Sequence, residues 1–214
     1  MQVSLDSLVC GVRAGKLVSF PTDTVPALAA LPEQGAFIYA AKQRSRDKPL
    51  ILMAASAEEI WSFVNGRDDE YEIWHRVAKK YWPGSLTLVL PASASVPQAM
   101  ISIADGDCDP QKDKLIPDRT IGIRVPNSRI AQTILAQTGP LATTSANLSG
   151  QPPLQTMAEI EAQFPNVLTL AATEFQDELH GDGVPSTVVK WTGKNWQVLR
   201  QGAMEVEFFK TESQ

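Results

Sequence analysis

A chain of 214 residues, 43% hydrophobic and 20% charged, has enough apolar material for one packed core and the composition of a globular protein. A net charge of −5 argues against a general nucleic-acid binder, and the two isolated cysteines, Cys10 and Cys108, point to a reduced, cytoplasmic setting rather than a disulfide framework. No apolar run approaches the roughly 20 residues a membrane helix needs. The start of the chain, with Asp6 and helical spacing, lacks the basic-then-apolar order of a signal peptide.

In chain order, Val3, Leu5, Leu8, Val9 and Val12 are spaced for a helix over 3–15 that Gly15 stops. Leu17 to Phe20 reads as a short strand ending at Pro21, followed by the polar turn Pro21-Thr22-Asp23-Thr24. In open α/β sheets ligands bind at such strand ends. A helix over 35–44 runs into a basic stretch in which Lys42, Arg44, Arg46 and Lys48 fall within seven residues, and Pro49 to Met53 then reads as a buried strand. Ser56 is placed to cap a helix through Val64, and a further helix over 70–82 stops at Pro83-Gly84. Strands are expected over 85–90 and 121–126, separated by a weakly ordered stretch at 102–119 that is rich in Asp and Lys. Asn127-Ser128 caps a helix over 129–138. The chain then reaches Leu141 to Gly150, a strand that stops in a turn crowded with Thr143, Thr144, Ser145, Asn147 and Ser149. A helix over 157–164 and strands over 167–170, 186–191 and 196–200 complete the pattern. Alternating helices and strands without a repeat or linker give one α/β domain with a mixed sheet over residues 1–204, and a tail over 205–214.

Several chemistries are excluded by what the chain lacks. It has no GxxxxGK[ST] loop and no GxGxxG turn. His75 reads as a surface residue of its helix and His180 as part of a loop, so no zinc cluster and no Ser-His-Asp set can be assembled. Asp105, Asp107 and Asp109 imitate the start of a calcium loop, but Pro110 stands where glycine is required and Ile116 where glutamate is required. What remains is a set of cations, hydroxyls and turn amides. Arg124 lies within the apolar strand Ile121 to Val125, where it either pairs with an internal acid or faces a pocket. Arg200 ends the last strand, and Ser186 follows a Gly-rich turn whose amides can face an anion. Such a site suits binding of phosphates and stabilisation of developing negative charge by position and electrostatics.

Six stretches also occur in a telling order: Ser19-Phe20-Pro21-Thr22-Asp23-Thr24-Val25, Lys42-x-Arg44 with Lys48-Pro49-Leu50, Pro83 to Leu90, Ile121 to Pro126, Thr144 to Gly150 and Pro185 to Val189. Together they resemble the YrdC/TsaC family of L-threonylcarbamoyladenylate synthases, in its short single-domain form, over about residues 5–204. The resemblance implies a YrdC/RibB-like domain with a twisted mixed β-sheet flanked by helices and a large, positively lined cavity. It implies formation of threonylcarbamoyl-AMP and pyrophosphate from L-threonine, bicarbonate and ATP, with Mg²⁺ accompanying ATP. The product would feed t6A modification at position 37 of tRNA through other proteins of the transfer machinery. Lys42, Arg44, Lys48, Thr120, Ser145, Asn147 and Arg200 are then expected on the ATP side, with Lys42 and Arg44 carrying catalysis. Thr24, Arg124, Thr143 and Ser186 are expected around threonine. The chain departs from the family's usual pattern at Pro26-Ala27, where Tyr-Gly is usual, and at Met53, where histidine is frequent. Two other readings stay open at this point: a non-catalytic factor that binds tRNA or double-stranded RNA through a basic cavity, and a nucleotide-binding paralogue with an altered substrate.

Overall fold

The computed structural model describes residues 1–45, 48–101, 119–176 and 181–207. Arg46, the stretch over 102–118 with Cys108 and the calcium-like aspartates, His180 and the tail from 208 lie outside the described residues.

The first helix, α1 (Leu5–Arg13), begins later than its spacing suggested, because Val3 is drawn into a strand and Ser4 becomes the N-cap, its Oγ accepting from the Ser7 N–H. That strand, β1 (Gln2–Val3), pairs with β8 (Leu168–Leu170). Next come β2 (Val18–Phe20) and β3 (Ala27–Ala30), the latter absent from the sequence reading. Alanine is a weak strand former, but all four β3 positions are buried between neighbouring strands, and location overrides propensity. Helix α2 (Gly35–Lys42) ends at Gln43, whose φ of 50° is left-handed.

The expected helix from Ser56 to Val64 is a correction: after β4 (Ile51–Met53) the chain makes turns, and only Trp61–Phe63 forms a short 3₁₀ segment. Tertiary pairing wins there. Glu59 turns back to accept from the Ala55 N–H, while Phe63 accepts from Ser93 and Asn65 donates to Pro91, which sets Val64 opposite Ala92. Helix α3 (Asp68–Tyr81) starts two residues before its expected 70, since Glu70 reaches back 3.0 Å to the Arg67 N–H and completes the N-terminus. The remaining elements are β5 (Leu86–Pro91), β6 (Thr120–Arg124), α4 (Arg129–Thr138), β7 (Leu141–Ser145), α5 (Met157–Gln163), β9 (Thr187–Trp191) and β10 (Trp196–Arg200).

Among the described residues the strands form one mixed ten-stranded sheet in the order β1-β8-β2-β3-β7-β4-β6-β5-β9-β10. Register decides which residues share a face. Met53 lies opposite Arg124 and Leu141, Ile51 opposite Gly122 and Thr143, and Ala27 opposite Ser145 and Phe20, so all of these project from one side. Helices α1 and α4 cover part of that side, packing Leu8, Val12, Ile130 and Ile134 against Phe20, Ala29 and Leu141. The other side carries Leu28, Leu52, Leu88, Ile123 and Val189 beneath α2, α3 and α5, with Trp74 fully buried at its centre. Among the described residues no helix is long and apolar enough to cross a membrane.

Candidate active site

Where α1 and α4 leave the first face uncovered, the strands open into a pocket of about 580 Å³ including its mouth. Ala27, Ile51, Met53, Arg124, Thr143 and Ser145 supply the strand-borne wall. The β2–β3 loop adds Thr22, Thr24 and Val25, the residues after α2 add Arg44 and Pro49, and Pro185, Ser186 and Arg200 complete the lining.

Arg124 is 4% exposed and held from three directions. Its Nε donates to the Gly84 carbonyl at 3.0 Å, Nη1 to Thr24 Oγ1 at 2.8 Å and Nη2 to Asp23 Oδ1 at 2.6 Å. The two readings of the sequence, an internal acid or a pocket, both hold. A guanidinium carries five N–H groups. Three are used, and one on each terminal nitrogen remains without a protein acceptor among the described residues. Burial pulls the Arg124 pKa below the ordinary arginine range, and the Asp23 carboxylate opposes that pull.

Arg200 is fixed by the residue it neighbours, with Nε and Nη2 both donating to the Ser186 carbonyl at 3.1 and 2.8 Å. Ser186 Oγ in turn shares a 2.8 Å bond with the buried Thr87 hydroxyl. Arg44 bonds through Nε to the Lys48 carbonyl at 3.0 Å and through Nη2 to the Pro49 carbonyl at 3.3 Å, which turns its guanidinium toward the pocket wall it lines. Burial lowers the Arg200 pKa, and repulsion from Arg124 and Arg44 lowers it further. Three guanidinium groups thus share one field, and the described lining includes no carboxylate. An anion placed among them would relieve that repulsion.

Lys42 is placed differently. It is fully buried behind the wall, and its ammonium donates to the Ser145 carbonyl, the Asn147 carbonyl and, at 3.1 Å, Asn147 Oδ1. These three acceptors match an ammonium's three donors. Burial, then repulsion from Arg44, lowers its pKa to about 7. Ser145 Oγ donates to Asn147 Oδ1 at 2.6 Å, and Asn147 Nδ2 bonds to the Leu148 and Gln151 carbonyls, so the hydroxyl-rich turn is pinned around the lysine.

Of the residues singled out in the sequence, the pocket brings together Thr24, Arg44, Arg124, Thr143, Ser145, Ser186 and Arg200. Lys42 and Asn147 stand behind the Ser145 wall, Lys48 is exposed, and Thr120 begins β6 half-buried away from the lining. Asp23 and Thr22 were not singled out. The signal for Asp23 was an acid in a strand-end turn facing a chain with one arginine in an apolar strand; the signal for Thr22 was the same turn. His75 is exposed, as expected, and its ring lies 4.2 Å from that of Trp61.

These features define an α/β protein whose sheet opens into a pocket lined by three guanidinium groups and several hydroxyls. Residues 11–202 match the family model Sua5_yciO_yrdC, described as telomere recombination, and the chain belongs to that family. The threonylcarbamoyl-AMP synthase of Pyrococcus abyssi is 33% identical over 200 residues, which are 92% of this chain and 53% of that protein. The chain therefore spans about half the length of that relative. The threonylcarbamoyl-AMP synthase of Vibrio cholerae is 32% identical over 203 residues, covering 93% of this chain and 97% of its own. Among solved structures, P. abyssi Sua5 complexed with L-threonine superposes with a TM-score of 0.73 at 30% identity, over 92% of this chain and 54% of that one. E. coli YciO, at 23% identity and a TM-score of 0.74 over 96% of this chain and 92% of its own, shares the fold.

Proposed function

We propose that this chain is a threonylcarbamoyl-AMP synthase, a nucleotidyltransferase that joins L-threonine, bicarbonate and ATP. The observation that carries the reading is the spare N–H on each terminal nitrogen of Arg124, in a pocket that Arg44 and Arg200 also line. The names of the P. abyssi and V. cholerae relatives, and the L-threonine in the P. abyssi structure, support it.

In this proposal Arg124 takes the threonine carboxylate, with Thr24, Thr143 and Ser186 around the amino acid. Arg44, Arg200 and Ser145 receive the triphosphate. Lys42 and Asn147 shape the Ser145 wall from behind, and Lys48 and Thr120 are given no contact. The threonine amine adds to bicarbonate with loss of water, giving a carbamate. A carbamate oxygen then attacks the α-phosphorus, and the bond to the β-phosphate oxygen breaks. Threonylcarbamoyl-AMP and pyrophosphate result, and the arginines stabilise the charge that gathers on the departing pyrophosphate. The lining offers hydroxyls and guanidinium groups, and among the described residues no set of three Asp, Glu, His or Cys could hold a metal. Mg²⁺ would accompany ATP as part of the substrate Mg·ATP. The product, a mixed anhydride, is consumed by transfer of its threonylcarbamoyl group to tRNA for t6A modification at position 37, in a reaction of partner proteins in the cytoplasm.

Pyrophosphate release by purified protein tests the reading, with ATP, Mg²⁺ and bicarbonate present and L-threonine added or omitted. Release that depends on threonine supports it. ATP binding with no release at any threonine concentration overturns it.

A further inference from the structure

We propose that Asp23 is the positioning residue for the amino-acid substrate, aiming the two spare N–H groups of Arg124; the proposal rests on the reading that those groups hold the substrate carboxylate. Asp23 does not line the pocket, so it acts through the arginine and not on the ligand. Its carboxylate bridges two segments distant in sequence. Oδ1 accepts from Arg124 Nη2 at 2.6 Å, and Oδ2 accepts from Ser85 Oγ at 3.2 Å. The side chains of Arg124 and Asp23 are 4% and 11% exposed, so water competes little for the pair.

The other contacts of Arg124 leave a specific task for Asp23. The Gly84 carbonyl fixes the Nε edge, and Thr24 Oγ1, itself 3.1 Å from Thr22 Oγ1, receives Nη1. Without a partner on Nη2 the guanidinium can pivot away from the Thr24 side. With Asp23 in place, the β2–β3 loop, the turn at 84–85 and β6 all meet at one planar group. The carboxylate also supplies a negative charge beside Arg124, which the lining itself does not provide in a pocket shared with Arg44 and Arg200. A neutral amide of the same shape would keep the space filled but lose both the charge and the charge-assisted bond.

The test compares wild type, Asp23→Asn and Asp23→Glu in threonine-dependent pyrophosphate release. Asp23→Asn is expected to raise the KM for L-threonine on the order of 10- to 100-fold while the KM for ATP stays within about twofold, because misaiming one binding group by a fraction of an ångström acts on one substrate. Asp23→Glu keeps the charge and is expected to restore part of the loss. Equal changes in both KM values, or none, in folded Asp23→Asn protein overturn the proposal. If Asp23→Asn does not fold, the same split in KM is read from Asp23→Glu against wild type. If the wild type itself releases no pyrophosphate, the functional reading has failed, and the positioning role is decided without substrate by ¹⁵N NMR of the Arg124 side chain. Separate Nη signals in wild type that merge in Asp23→Asn support it, and separate signals in both overturn it.

Discussion

Arg200 stands opposite Val188 rather than Thr187, because Leu199 is an extra residue in the β10 ladder. The consequence for the site is a change of face. Val188 lies opposite Thr87, whose Cγ2 approaches Gly122 from the same side as Ile51, so the bulge turns Arg200 onto the pocket side of the sheet. A regular ladder would direct it with Val198 and Val189 to the opposite side.

Arg200→Ala is therefore expected to raise the KM for ATP by about 10- to 100-fold, the loss of one charge-assisted phosphate contact. Leu199→Ser, at a side chain 51% exposed, should change stability by less than about 0.5 kcal/mol and leave kinetics intact. Steady-state kinetics of the two variants side by side check this; equal effects would remove Arg200 from the phosphate end.

Arg44→Ala and Arg124→Ala should separate the two substrates. The first is expected to weaken ATP use and the second threonine use, each by at least about tenfold in the corresponding KM. Arg124→Lys should not rescue, since a lysine cannot reach Gly84, Thr24 and Asp23 together while still facing a carboxylate. Loss of the same substrate's affinity in both alanine variants would contradict the division of the pocket.

Lys42 gives a prediction in pH. Its pKa falls to about 7 in the folded protein, chiefly through burial, against an ordinary lysine value of 10.5 when unfolded. Between these values the unfolded chain binds more protons than the folded one, so this group makes stability rise as pH increases from about 7 toward 10. Urea denaturation of wild type and Lys42→Met at pH 7 and pH 9.5 measures it. The wild type should gain stability relative to the variant at the higher pH, and a parallel shift in both would refute the assignment. At pH 7 the variant should also be less stable by about 2–3 kcal/mol, because the Ser145 and Asn147 carbonyls lose their donor.

Glu70 serves two elements at once. One oxygen completes the N-terminus of α3 at the Arg67 N–H, and the other accepts from Trp191 Nε1 at 2.8 Å. Glu70→Ala should cost about 2–3 kcal/mol, summing a lost cap and an unpaired indole N–H. Thermal unfolding measures the cost, and a change in Trp191 fluorescence would accompany it. Retention of wild-type stability would mean water replaces both bonds.

Most of the strands and long helices were legible in the sequence because their cues are local: apolar periodicity for α4, a Ser128 cap, punctuation by Pro83-Gly84. What was not legible depended on distant partners. The alanine-rich β3 is a strand because β2 and β7 flank it, and residues 56–64 are not a helix because Ser93 and Pro91 claim their backbone. The same divide runs through the site. Arg124, Arg44 and Ser186 stood out as polar residues at strand ends or helix ends. The placement of Lys42 behind the wall did not, because spacing in a KxR stretch does not reveal which cation the turn at 145–151 will enclose. Asp23 was visible as a turn residue, but its pairing with a strand a hundred residues away was not.

The edge position of β10 has a consequence for motion. An edge strand bonded to one neighbour opens locally at far lower free energy than the centre of a sheet, and here that opening would carry Arg200 out of the pocket and loosen Ser186 with it. A triphosphate bridging Arg200 to Arg44 would then act as a clasp across the sheet, tying an edge strand to the segment after α2. Amide exchange along 196–200 should slow in step with nucleotide occupancy, so that the rim of the fold is only as firm as the pocket is full.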